Sequence, residues 1–278
     1  MIWAMVQYTL PVLLAAFGGL MTDLAGTLNI ALESLILAGA FTAFLVSVYS
    51  QSVLLGFFAA ALVGALLAAG VFAAALKTRA NIFVTGLGLN LMVPGLIATI
   101  SSVIFGTRGV LRSAQFPPQP NLLGIPLPMA VSFLLVLVLW YILALTPLGL
   151  RVRALGYHPH VAQIRGISPF RTRITAFAVS GFACGAAGAL LTFGLRSYVP
   201  NVSAGRGWIA LAAIYLGRRS PGGVLAAALL FGGAELASNA AQGRFDLPSS
   251  LFMAGPYAAA VIALVLQGYL SWRREKRR

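Results

Sequence analysis

Stretches of about 20 apolar residues, broken by short polar or proline-bearing links, recur from one end of the sequence to the other. A helix of that length rises about 30 Å, enough to cross a hydrocarbon core. The pattern predicts helices over 3–22, 28–49, 53–76, 82–105, 128–146, 173–195, 206–217, 222–241 and 249–270. The seventh, roughly 12 residues long, is too short to cross unaided. The fold class is therefore all-α: a polytopic transmembrane bundle of roughly nine spans, within a range of about eight to ten. It occupies 1–278 as one transmembrane domain, with no length left for a soluble one. The first stretch reads as a retained span, because no Lys or Arg precedes it and it exceeds the usual core of a cleaved signal.

Composition agrees and charge adds topology. The 278 residues are 60% hydrophobic and 9% charged, against about 25% charged in soluble domains. A formal charge of +14 on a soluble protein would point to phosphates. In a membrane protein it reports instead which loops stay in the cytoplasm, and no nucleic-acid partner is expected. Alternating spans put Lys77 and Arg79, Arg151 to Arg173, Arg218 and Arg219, and Arg273 to Arg278 on one side. That side reads as cytoplasmic, with the C-terminus inside and the N-terminus outside. The segment about 106–127, with Pro117, Pro118, Pro120 and Pro126, then lies outside with Asn201 and Asp246.

Candidate chemistry is sparse. The five carboxylates are Asp23, Glu33, Glu235, Asp246 and Glu275, and the two histidines, His158 and His160, lie one residue apart with no acidic neighbour. Neither an active site nor a metal site is expected from such a set. Cys184 has no second cysteine to pair with and reads as a packed, inert thiol. Glu33 and Glu235 fall inside apolar stretches, where a charged acid costs about 2.5–3.5 kcal/mol and needs a partner, water or a proton. Each is read either as lining a translocation pathway or as a carboxyl paired with a neighbouring helix. Asn29, and Asn81, Thr85 and Asn90 on roughly one helical face, offer uncharged groups for a polar solute; hydrogen bonds between helices are the other reading. A neutral lining suits a neutral solute better than an ion.

The basic segment about 150–172, RVRALGYHPHVAQIRGISPFRTR over 151–173, is punctuated as a short helix: Pro159 fits a first turn and Gly166 a stop. A short helix lying on a membrane face can dock into a groove of a soluble partner. Small residues recur at helical spacing in AAALVGALLAAGVFAAA and SGFACGAAGALL, as in closely packed membrane bundles. There is also a faint echo: the segments opening at Gly26 and Gly205 share glycine and Ile-Ala-Leu at the same offsets. Repeated transporter halves leave such traces, and so does chance.

Three stretches carry a family resemblance. Gly26 to Phe41, GTLNIALESLILAGAF, looks like an early motif with an Asn-Ile-Gly-x-Glu-Gly core, departing at Ala31 and Ser34 where glycine is usual. Arg153 to Ile167, RALGYHPHVAQIRGI, resembles a coupling segment of the type Arg-Ala-x-Gly-x-x-Pro-x-x-Ala with Gly-Ile following; Tyr157 and His158 stand where Glu-Asn is common. Gly205 to Gly223 followed by Leu230 to Glu235 is similar to the late motif. Together they resemble permeases of bacterial ATP-binding-cassette importers in the branched-chain amino acid, simple sugar and nucleoside group, with the nucleoside-type branch favoured.

The resemblance implies a non-enzymatic subunit of the cytoplasmic (inner) membrane that forms a pathway with a second permease, similar or identical. It implies coupling through Arg153, Gly156, Pro159, Ala162 and Gly166 to a cytoplasmic ATPase, and delivery of the solute by an extracytoplasmic binding protein. Nucleosides and simple sugars come first as solutes, with riboflavin-like compounds behind them. No cofactor is expected on this chain, which lacks the Gly-x-x-x-x-Gly-Lys-Ser/Thr phosphate loop, and ATP would bind the partners. The main rival is a secondary transporter driven by an ion gradient through Glu33 and Glu235. A membrane enzyme and a purely structural subunit rank below it.

Overall fold

The computed structural model describes residues 2–242 apart from Leu123, together with Val265. Apart from Val265, the predicted helix 249–270, together with Asp246, Glu275 and the basic stretch from Arg273, lies outside the described residues. The helices are α1 (Ile2–Leu24), α2 (Leu32–Ser50), α3 (Val53–Lys77), α4 (Ile82–Phe105), α5 (Leu127–Leu145), α6 (Pro147–Tyr157), α7 (Pro159–Ile164), α8 (Pro169–Leu195), α9 (Arg206–Leu216) and α10 (Pro221–Gln242). Two short antiparallel strands, β1 (Asn121–Leu122) and β2 (Ile125–Pro126), close a hairpin before α5. Among the described residues, seven helices are long and apolar enough to cross a membrane: α1 to α5, α8 and α10.

The first eight predicted helices are present, with three corrections. The segment 151–173 is mostly helical rather than a loop around one short helix. Thr146 caps α6, its hydroxyl accepting the Gly149 N–H at 3.4 Å, and Pro147 fills the first turn. The helix predicted at 173 begins at Pro169, because the Ser168 hydroxyl accepts the Arg171 N–H at 3.5 Å. The one predicted at 28 begins only at Leu32, because Asn29 turns the chain before it.

The core is built around α8, which packs on α1, α2 and α3. Its glycines allow this. A β-carbon on Gly181 would lie 2.1 Å from the Gly64 carbonyl oxygen of α3, one on Gly185 2.2 Å from that of Ala60, and one on Gly188 2.0 Å from that of Ile36 on α2. With little hydrophobic drive between helices in lipid, such backbone approach supplies the packing and excludes any larger residue along the seam.

Contacts sort the connections onto two faces. Asp23 at the end of α1 pairs with Arg219 after α9, the Arg173 guanidinium donates to the Ala25 carbonyl at 3.3 Å, and Phe72 of α3 stacks on Phe170. These contacts gather Lys77, Arg79, Arg151 to Arg173, Arg218 and Arg219 on one basic face. On the other, Leu111 bridges to Tyr198, Gln119 donates to the Phe193 carbonyl at 2.5 Å, and Gln51 to the Gln115 carbonyl at 2.9 Å. The proline-rich segment 106–127, which carries only Arg108 and Arg112 as charges, therefore lies opposite that basic face.

The triplets α1-α2-α3 and α8-α9-α10 run in opposite directions. Each places an irregular link after its first helix, with a left-handed glycine, Gly26 (φ +74°) or Gly205 (φ +77°). These are the two positions aligned by the sequence echo, and the arrangement is that of inverted repeats.

Candidate functional site

The helix starts that follow the two irregular links, the first turn of α2 and that of α9, meet inside the bundle. The first, residues 25–31, leaves α1 through a turn in which the Gly26 N–H donates to the Asp23 carbonyl (3.0 Å) and the Thr27 N–H to that of Thr22 (3.1 Å). That pattern needs a left-handed residue, which Gly26 supplies. Backbone groups so placed in an apolar bundle need partners. Asn29, 3% exposed, provides one, its side-chain oxygen accepting the Ala31 N–H at 3.0 Å, while its amide donates to the Ser180 hydroxyl of α8 at 3.1 Å. Asn90 of α4 brackets the next turn, donating to the Ile30 carbonyl (2.9 Å) and accepting the Ser34 N–H (3.0 Å).

The second link, 196–205, ends where α9 begins. Eleven residues of helix rise only about 16 Å, so α9 starts roughly half-way through the bundle and ends on the basic face. Its leading N–H groups have no helical partner. Glu33, in the first turn of α2, meets them: Oε1 accepts the Gly205 N–H at 2.8 Å and Oε2 the Gly207 N–H at 2.7 Å. A carboxylate at a helix N-terminus gains from both the hydrogen bonds and the helix dipole. Gly207 is required for the fit, since a β-carbon there would sit 2.4 Å from the Glu33 nitrogen.

Arg206 forms the other anchor. Its Nη1 donates to the Val202 carbonyl (3.0 Å) and the Ser203 carbonyl (3.3 Å), and its Nη2 pairs with Glu235 of α10. Both side chains of the pair are about 15% exposed. Arg206 lines a cavity of about 270 Å³ with Gln7, Tyr8, Gln119 and Phe193, bounded by the end of α8 and the start of α5. The cavity lies toward the face that carries segment 106–127.

The predicted site residues thus fall into three groups. Asn29, Glu33 and Asn90 come together around the first link, all engaged with backbone or with Ser180. Asn81 and Thr85 do not join them: Asn81 is exposed and caps α4 by accepting the Phe83 N–H (2.9 Å), and the Thr85 hydroxyl donates to the Asn81 carbonyl (2.9 Å). Glu235 stands with Arg206. Sequence reasoning placed Arg206 at the head of the helix 206–217 and gave it no role, yet an arginine heading an apolar stretch away from the basic side was the available signal. Asp23, Arg219 and Ser180 were also missed, their partners lying more than a hundred residues away.

On the basic face, α6 and α7 form a bent pair. Gly156 lies flat against the end of α1, where a β-carbon would come 2.0 Å from the Leu24 carbonyl oxygen. Pro159 opens α7, Ala162 is 3% exposed, and Gly166 (φ +80°) ends it, with the Ile167 N–H returning to the Ala162 carbonyl at 2.9 Å. Arg153 is partly buried on α6. Tyr157, Val161 and Ile164 are 68%, 55% and 75% exposed. His158 and His160 are exposed, Cys184 is buried, and no cluster of metal-ligating side chains occurs among the described residues.

The chain is similar to the guanosine ABC transporter permease protein NupQ of Bacillus subtilis, 31% identical over 94% of this chain and 89% of the relative. It is also similar to the nucleoside ABC transporter permease protein NupC of Lactococcus lactis, 28% identical over 94% and 90%. In fold it matches the solved structure of PsaBC from Streptococcus pneumoniae in complex with Fab, with a TM-score of 0.54 and 15% identity, covering 94% of this chain and 89% of that one. Residues 1–270 match the family described as branched-chain amino acid transport system / permease component. With spans that cross the inner membrane several times and a match over nearly its whole length, the chain belongs to that permease family.

Proposed function

We propose that this chain forms the translocation pathway of an ATP-driven importer for a nucleoside or a simple sugar. The observation that carries the reading is α7: a capped helix of six residues on the basic face, holding Val161 and Ile164 out to solvent, within a chain of this permease family. Exposed aliphatic side chains on a short helix fit a groove on a soluble partner. The basic face is cytoplasmic by the retention of Lys and Arg there, which sets the N-terminus outside and the C-terminus inside. The ATPase binds that face at Arg153, Gly156, Pro159, Ala162 and Gly166. A second permease, similar or identical, completes the pathway, and a binding protein delivers the solute from the opposite side. The chain works as one domain and carries no nucleotide of its own. The names of the relatives above favour a nucleoside, and the neutral amides and hydroxyls of the interior suit an uncharged solute.

An ion-coupled mechanism would need Glu33 or Glu235 free to exchange a proton. Both are engaged, one by two backbone N–H groups and the other by Arg206.

Co-purification of the tagged chain from its native membrane tests the reading. A cassette ATPase and a solute-binding protein are the expected companions; recovery of the chain alone, active in proton-driven uptake, overturns it. Ile164→Asp alters an exposed side chain only, so membrane abundance should hold while solute-stimulated ATP hydrolysis falls at least tenfold.

A further inference from the structure

The cavity beside Arg206 has an unusual electrostatic make-up. Among the described residues that line it Arg206 is the only charged one, and a guanidinium in a largely apolar pocket is ordinarily an anion receptor. Here that capacity is spent internally: Glu235 takes one terminal nitrogen, and two backbone carbonyls take the other. The Nε–H alone is buried without a partner. The second local attraction for an anion, the start of α9, is closed by the Glu33 carboxylate. Each positive feature at this point in the bundle is therefore matched by one carboxylate. The remaining lining offers aromatic surface from the partly exposed Tyr8 and amide groups from Gln7 and Gln119.

We propose that this cavity is the outer antechamber of the pathway, and that Glu235, by neutralising Arg206, makes it a site for uncharged ring-bearing solutes that rejects their phosphorylated or carboxylated counterparts. The proposal rests on the importer reading above and adds the residues that set charge selectivity. A phosphate could reach the guanidinium only by displacing Glu235, which would leave that carboxylate partly buried without its cation. A neutral nucleoside faces no such cost: its ring stacks on Tyr8, and its polar edge meets the amides of Gln7 and Gln119.

The test is direct binding to the purified complex in lipid nanodiscs, comparing radiolabelled guanosine with guanosine 5′-monophosphate so that selection by a binding protein is bypassed. The native complex should hold guanosine and exclude the monophosphate. Glu235→Gln leaves Arg206 a lone cation and should raise monophosphate binding at least tenfold, with guanosine changed less than threefold. Gln7→Lys places a lone cation in the same cavity from an exposed position, and keeps the test open if Glu235→Gln does not accumulate. Arg206→Gln combined with Glu235→Gln restores neutrality and should exclude the monophosphate again; a gain that persists in it lies elsewhere and overturns the assignment. Unchanged discrimination in folded Glu235→Gln and in Gln7→Lys also overturns it. If the native complex binds ribose and not guanosine, the nucleoside reading fails on its own, and the same variants read against ribose 5-phosphate still decide the charge rule.

Discussion

The two links inside the bundle perform the same geometric task with opposite chemistry. Past Ala25, whose carbonyl accepts from Arg173 at the basic face, the first link is held by neutral groups, the amides of Asn29 and Asn90 and the hydroxyl of Ser180. Residues 196–205 lead into a helix start held by ions, Glu33 on its N–H groups and Glu235 on Arg206, beside a cavity. Neutral partners cost little to desolvate and suit a fixed frame. Charges are costly to bury and stay only where paired, but they can set what an adjacent space accepts. The first link thus reads as scaffold and the second as the working side.

That contrast can be broken most severely at the junction. Gly207→Val places carbon atoms where the Glu33 backbone lies and should cost on the order of 4 kcal/mol or more; loss of the monodisperse peak in fluorescence-detected size exclusion checks it. Glu33→Ala leaves two N–H groups without an acceptor and should cost about 3 kcal/mol, seen as a lower thermal unfolding midpoint. Glu33→Gln keeps one acceptor oxygen and should lose about half as much, with an unchanged pH profile of uptake. A complete loss of uptake with a shifted profile would instead restore the proton-coupled rival. The smallest effect belongs to the neutral link. Asn90→Ala should cost about 1–2 kcal/mol in the same thermal assay and leave solute discrimination as it was, so that any change in selectivity would erase the distinction between frame and working side.

Spans were legible because a run of about 20 apolar residues has few fates other than crossing lipid. The helix α7 was legible through Pro159 and Gly166, which act within a few residues of themselves. The helix α6 was not, because its basic, glycine-containing sequence lacks an apolar run, and its cap depends on Thr146 at the end of the preceding span. The roles of Glu33 and Asn29 were open for a different reason. A carboxylate in an apolar stretch announces that it needs a partner without saying which, and only the fold brings Gly205 and Gly207 to Glu33. The echo between Gly26 and Gly205 rests on four matching positions, too few to separate repeat from chance by sequence; in the fold both glycines are left-handed turns.

The cap that Glu33 places on α9 also has a consequence in time. The acceptor and its donors are separated by 172 and 174 residues. At synthesis rates of about 5–20 residues per second, Glu33 emerges roughly 10–30 s before the glycines that will receive it. Throughout that interval α2 is a span carrying an unmatched acid, and chains stopped short of residue 205 never leave that state. Assembly of this protein therefore begins with a debt in its second helix that the ribosome settles only near the end.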